Sequence, residues 1–131
     1  MANSLPTARE LEALKILWDL RRATVREVYR EMGGQYPELA YTTVLSLMQT
    51  MEKKGLIARE SAGRGKTHYY YALAKPDQTM QNLAAQFLDT VFDGVVSQYL
   101  VRALEARRPS TEELDELERL IVAAKKRQHG S

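Results

Sequence analysis

The chain of 131 residues contains no cysteine. Disulfides, thiolate metal sites and cysteine nucleophiles are therefore excluded, and the composition fits a reducing compartment. No apolar run approaches the roughly 18 residues that a bilayer-spanning helix needs, and no signal peptide is recognisable before Thr7. We therefore expect a cytoplasmic protein without membrane insertion.

Motifs of catalysis are also lacking. The two histidines, His68 and His129, are far apart in the sequence, and we expect His129 in an unstructured tail. The sequence has no serine elbow, no phosphate-binding glycine loop and no metal-spaced His/Asp/Glu cluster. The acidic residues at 112–118 follow a helix start, where negative charge offsets the helix dipole. The sequence thus predicts a protein that is not an enzyme and needs no metal or cofactor.

Charge is divided unevenly along the chain. Residues 1–75 contain 12 Lys and Arg against 8 Asp and Glu, whereas residues 76–131 contain 7 against 9. The excess of basic residues therefore lies in the N-terminal part of the chain, residues 1–75. This division indicates a polyanionic partner for the first part of the chain only.

Capping motifs mark the helix starts. Ser or Thr followed three positions later by Glu occurs at Thr7, Thr24 and Ser110, where the hydroxyl and the carboxylate can each satisfy a free backbone N–H. The first two predict a pair of helices, the second ending at Gly33-Gly34. Apolar residues at helical spacing predict a third helix over residues 41–54.

Two strands are predicted after the third helix, over residues 56–60 and 67–73, with a turn-rich tip between them. Three helices followed by a hairpin is the order of a winged helix-turn-helix. We therefore predict a mainly α protein with an α+β winged-helix DNA-binding domain over residues 1–75.

The remaining residues, 76–131, are predicted to form three amphipathic helices separated at Asp93-Gly94 and Arg108-Pro109. Helices this short cannot all cover their apolar faces within one small chain, so we expect a helical dimerisation domain that packs against a second copy. The candidate interface residues are Met80, Leu83, Phe87, Leu88, Val91, Tyr99, Leu100, Leu104, Leu117 and Ile121.

The third helix is the main candidate for contact with double-stranded DNA. Short polar side chains on its face away from the core can reach base edges in a major groove, and glutamine can pair with adenine. A solvated face without a partner is the alternative. Leu45 flanks this face and would either touch a thymine methyl or close the edge of the core. The candidate DNA contacts of the helix are Thr42, Thr43, Leu45, Ser46, Gln49 and Lys53.

The predicted hairpin tip is basic. Arg64 and Lys66 lie among glycines, and His68 follows just beyond. Glycine lets the backbone approach a phosphate closely, while the cations neutralise it and release counterions. We predict phosphate contacts for these residues; the alternative is a solvated basic tip.

The chain resembles the BlaI/MecI penicillinase-repressor family, which includes the CopY-type copper repressors. The resemblance is carried by Leu5 with residues 11–18, by Leu39-Ala40-Tyr41-Thr42-Thr43-Val44, by Lys53-Lys54-Gly55-Leu56-Ile57 and by the aromatic strand at Tyr69–Tyr71. It implies a cytoplasmic homodimer that represses transcription from an inverted repeat, with the C-terminal helices as the dimer interface.

The resemblance also implies a link to antibiotic resistance, in which a membrane sensor metalloprotease relieves repression by cleaving the dimerisation region. The chain departs from the pattern of this family in three ways. Thiolate copper sensing is excluded because the chain has no cysteine. Leu45 stands where penicillinase repressors have arginine, so their operator does not carry over. Arg102-Ala103 stands where their cleaved bond is Asn-Phe.

Two other functions share this topology. A winged helix can bind protein or serve as an assembly scaffold, and it can respond to a small ligand held between its two parts. No cluster of buried polar residues indicates such a ligand. The basic excess of residues 1–75 and the polar face of the third helix favour DNA.

Overall fold

The computed structural model describes residues 5–61 and 67–130. Over these residues the fold is mainly helical with a small antiparallel sheet, which confirms the predicted fold class. The chain order of three helices, a hairpin and three further helices is also as predicted. The elements are α1 (Ala8–Leu20), α2 (Val25–Gly33), α3 (Tyr41–Lys53), β1 (Ile57–Ser61), β2 (His68–Ala72), α4 (Pro76–Phe92), α5 (Val96–Ala106) and α6 (Thr111–His129).

The chain forms two compact units, residues 1–84 and 85–131. The boundary between them lies within α4, whereas the change in composition lies at residue 75. The assignment of the two parts to DNA binding and to dimerisation stays a prediction.

The first unit is built on one hydrophobic core. Side chains at helical spacing on α1, α2 and α3 meet there with the inner side of the hairpin, because each helix has a single apolar stripe to bury. The completely buried members include Leu14, Leu17, Val28, Val44, Met48, Met51 and Ile57.

The hairpin that forms the wing is held by an isolated β-bridge to the segment between α1 and α2. β1 and β2 pair antiparallel with Ile57 opposite Ala72. Ala23, between α1 and α2, then pairs with Tyr70: its N–H donates to the Tyr70 carbonyl at 3.0 Å, and the Tyr70 N–H donates back at 2.8 Å. These two bonds fix the wing to the helix-turn-helix.

The turn from α3 into β1 depends on Gly55, whose φ is +82°. The Gly55 N–H donates to the Glu52 carbonyl at 3.1 Å, and the Leu56 N–H donates to the Met51 carbonyl at 3.0 Å. This pair of bonds is a Schellman motif, and Leu56 and Met51 are both buried beside it. Since L side chains avoid positive φ, the motif explains why glycine ends the helix.

The second unit contains the end of α4, α5 and α6. Gly94, at φ +80°, ends α4 with its N–H donating to the Leu88 carbonyl. The expectation that His129 lies in an unstructured tail is wrong, because α6 includes it. Basic residues in the last turn of α6 stabilise that helix end through its dipole. Within the described ranges, no helix is long and apolar enough to cross a membrane.

An ion pair joins the start of α1 to the end of α3. The Lys54 Nζ lies 2.6 Å from the Glu10 Oε1, and the Lys54 side chain is 23% exposed while that of Glu10 is 4% exposed. The same carboxylate oxygen accepts the Thr7 N–H at 2.9 Å, which completes the predicted capping box. Glu10 therefore serves both as a helix cap and as a link between the two helices.

Replacing Lys54 with methionine should lower the free energy of unfolding by about 1–3 kcal/mol, because it leaves the buried Glu10 carboxylate without its cation. The matched control is Lys53→Met on the exposed face of α3, with an expected change within about 0.5 kcal/mol. Urea unfolding should be compared at one chain concentration, since association changes apparent stability. Equal losses in both variants would contradict this role.

Candidate nucleic-acid interface

The outward side of α3 is polar. The structure places Thr42, Thr43, Ser46, Gln49 and Lys53 in exposed positions. On the opposite side, the core residues at 44, 48 and 51 are 0% exposed. The helix therefore presents a continuous row of hydroxyl, amide and ammonium groups about three turns long.

The two flanks of α3 face different surroundings. On one flank, Thr43, Leu47 and Thr50 lie in a shallow depression that also includes Glu10 of α1. On the other flank, a groove lies between α3 and the wing. We call it the α3–wing groove, and its lining residues are Thr24, Val25, Arg26, Tyr41, Leu45, Gln49, Arg59, Thr67, His68 and Tyr70.

Leu45 lies in this groove and is partly buried, packed against the core of the first unit. The two alternatives stated for it are therefore compatible: part of the side chain closes the core, and part faces the groove. Gln49 lies one turn further along the same flank. The pair offers a potential DNA ligand an apolar contact and an amide side by side.

Arg26 is a candidate that the sequence analysis missed. Its guanidinium lies 4.8 Å from the centre of the Tyr41 ring, which fixes it at the edge of the α3–wing groove. Tyr41 is in turn packed edge-to-face against Tyr29 at 5.6 Å. The sequence feature that could have identified Arg26 is its position two residues after the Thr24 cap, at the start of the first helix of the helix-turn-helix.

The wing carries His68 as an exposed side chain at the start of β2, opposite Ser61. Arg64 and Lys66 lie outside the described residues. Near the end of β1, Arg22 forms an ion pair with Glu60 at 2.9 Å and stacks over Tyr69 at 4.5 Å. Since Glu60 is paired with Tyr69, these contacts stabilise the outer part of the described hairpin.

The apolar residues of α4 to α6 remain largely uncovered in the single chain. Four of the ten candidate interface residues are partly buried, namely Leu83, Leu88, Leu100 and Leu117. The other six are 41–52% exposed, namely Met80, Phe87, Val91, Tyr99, Leu104 and Ile121. Further exposed apolar side chains that the sequence analysis did not select are Val95, Val96, Val101, Leu114, Leu120 and Val122.

An aromatic cluster lies within the second unit. Phe87, Phe92 and Tyr99 pack edge-to-face on one another, with ring centres 5.7–6.2 Å apart. The positions aligned with the family's cleavage bond, Arg102 and Ala103, lie inside α5, and Arg102 pairs with Glu105 at 3.1 Å. In the part of the chain that the structure describes, no group of three metal-ligating side chains occurs.

A helix-turn-helix with an exposed polar third helix, followed by a hairpin wing, defines the winged-helix class of fold. The family model described as penicillinase repressor matches residues 6–123. The chain belongs to the penicillinase repressor family and is a DNA-binding transcriptional repressor, not an enzyme.

The chain is similar in structure to several solved proteins. RosR of H. salinarum aligns with a TM-score of 0.51 and 16% identity, covering 96% of this chain and 98% of that one. A point mutant of Lactococcus lactis ZitR aligns with a TM-score of 0.48 and 12% identity, covering 97% of this chain and 78% of that one. GAS PerR aligns with a TM-score of 0.39 and 17% identity, covering 40% of this chain and only 34% of PerR. Of these three alignments, the RosR alignment supports the fold assignment. No curated protein sequence is similar enough to count as a relative.

Replacing Arg26 with alanine should weaken binding to duplexes of any sequence and lower the salt slope of log affinity by about one, because one phosphate contact is lost. The control is Arg30→Ala, an exposed arginine one turn further along α2 and outside the groove lining. Affinities for a mixed-sequence duplex should be measured at several salt concentrations. Identical slopes for the two variants would remove Arg26 from the interface.

Proposed function

We propose that the chain represses transcription as a cytoplasmic homodimer that binds an inverted-repeat operator. Each copy inserts α3 into the major groove of one half-site and lays its wing along the DNA backbone. The observation that carries the proposal is the exposed polar row on α3, opposite a side that is completely buried. Because the core buries the opposite side of the helix, the polar side has a fixed orientation toward the DNA.

The roles of the side chains follow from their chemistry. Thr42, Thr43, Ser46 and Gln49 contact base edges or the nearby backbone, and Gln49 can form two hydrogen bonds with an adenine. Cations contact phosphates, which gives affinity without sequence preference. The proposed phosphate contacts are Arg26, Lys53, Arg64, Lys66 and His68.

Dimerisation is supported by the uncovered apolar surface of α4 to α6. Exposed apolar side chains in such number are rarely left in water, and a second copy presents the same ones. A two-fold symmetric dimer recognises a two-fold symmetric site. We therefore expect half-sites about one helical turn apart, roughly 34–36 Å.

Relief of repression by a membrane sensor metalloprotease is the further part of the proposal, and its support is the family membership. Cleavage near Arg102 and Ala103 would separate α6 from the rest of the interface. Since both residues lie within a helix, α5 must open locally before a protease can bind its backbone. The protease must also accept a bond other than Asn-Phe.

Replacing Gln49 with alanine should cost about 1–3 kcal/mol of binding free energy on the operator and little on scrambled DNA, because only base recognition is lost. Mobility shifts against the DNA upstream of the chain's own gene, with a scrambled competitor, would measure both. Gln35→Ala, an exposed glutamine outside α3, is the control and should change neither affinity. Equal losses on both sequences would overturn base recognition by Gln49.

Replacing Phe87 with glutamate should raise the dimer dissociation constant roughly tenfold or more, because a charge would be buried at the interface. The matched control is Gln86→Glu, which adds the same carboxylate at the adjacent exposed position of α4. Sedimentation of the full chain over a range of concentrations measures the constant. An unchanged dimer in the Phe87 variant would exclude this face from the interface.

A further inference from the structure

A row of three residues lines the wing-facing flank of α3: Tyr41, Leu45 and Gln49, each four positions after the last. Four residues advance a helix by slightly more than one turn, so these side chains lie one above another. Leu45 is therefore placed between an aromatic ring and an amide, at the middle of the α3–wing groove.

Core packing alone does not account for the part of Leu45 that faces the groove. Its neighbours Val44 and Met48 are 0% exposed, so the core beneath this part of α3 is already filled. Leu45 is only partly buried, and its remaining apolar surface lies in water in the single chain. A ligand in the groove would cover that surface.

The charge of the groove indicates which ligand fits. Arg26, Arg59 and His68 line it, and no acidic residue does so among the residues that the structure describes. Arg59 is paired with Glu52 at 3.3 Å, whereas Arg26 is held by the Tyr41 ring. Leu45 is an apolar side chain surrounded by basic ones, and this combination fits a polyanion that also carries an apolar group.

We infer that Leu45 recognises the 5-methyl group of a thymine in each half-site, which rests on the function proposed above. Of the four bases, only thymine presents a methyl group in the major groove, and leucine has no hydrogen-bonding atom with which to select another base. Leu45 is thereby a residue that determines operator sequence.

The position of this thymine is also constrained. Leu45 and Gln49 are separated along the helix axis by about 6 Å, and base pairs are stacked about 3.4 Å apart. The thymine therefore lies within two base pairs of the adenine that Gln49 contacts. Covering one methyl group corresponds to about a fourfold change in affinity, and we expect between about threefold and tenfold for each half-site.

The experiment begins with selection of a randomised duplex library by the full chain in moderate salt. In the most enriched duplex, each thymine is then replaced singly by deoxyuridine, which removes only the methyl group. One thymine in each half-site should show the expected loss of affinity. An enriched duplex in which no deoxyuridine weakens binding would overturn the inference while leaving the proposed function intact; a library without enrichment would instead reject the proposed function.

Two variants assign the effect to Leu45. In Leu45→Ala, deoxyuridine at the sensitive position should no longer change affinity. The matched control is Leu47→Ala, on the opposite flank of α3, which should keep the full sensitivity. Full sensitivity in Leu45→Ala would overturn the assignment. The deoxyuridine scan with the unaltered chain tests the inference even if a variant does not fold.

Discussion

Burial of one side of α3 is the constraint on which the rest of the first unit depends. Val44, Met48 and Met51 are completely buried, and together they fix the rotation of the helix about its axis. A rotation by one residue, about 100°, would bring a methionine to the surface and a polar side chain into the core. The identity of the exposed row is therefore decided by the apolar residues beneath it.

Both ends of α3 are fixed as well, and by different means. At its start, Tyr41 is packed between Tyr29 and the Arg26 guanidinium. At its end, the Gly55 turn and the Glu10–Lys54 ion pair hold the last residues against the hairpin and α1. A helix that is fixed in this way loses little conformational entropy on binding, so more of the contact energy remains as affinity.

The features that the sequence predicted correctly are local. Helical spacing identified both sides of α3, the capping boxes marked the starts of α1 and α2, and Gly55 marked a helix end. The pairing of Ala23 with Tyr70, the Glu10–Lys54 ion pair and the placement of Arg26 on Tyr41 were not predicted. The first two join residues that are distant in the sequence, and the last needs the angle between α2 and α3. Such contacts follow from tertiary packing, which spacing along the chain does not encode.

The exposed apolar side chains of α4 to α6 compensate, in the proposed dimer, for the small number of side chains with which α3 can recognise bases. A few hydroxyls, one amide and one leucine can discriminate only weakly within a single half-site. In the proposed dimer, binding of the second half-site is intramolecular, so that the preferences of the two half-sites multiply. On this basis, about a fourfold preference for one methyl group becomes about sixteenfold for the dimer. In the proposed dimer, the apolar side chains of α4 to α6, which are unfavourable in water in a single chain, thus allow a small polar interface to select its operator.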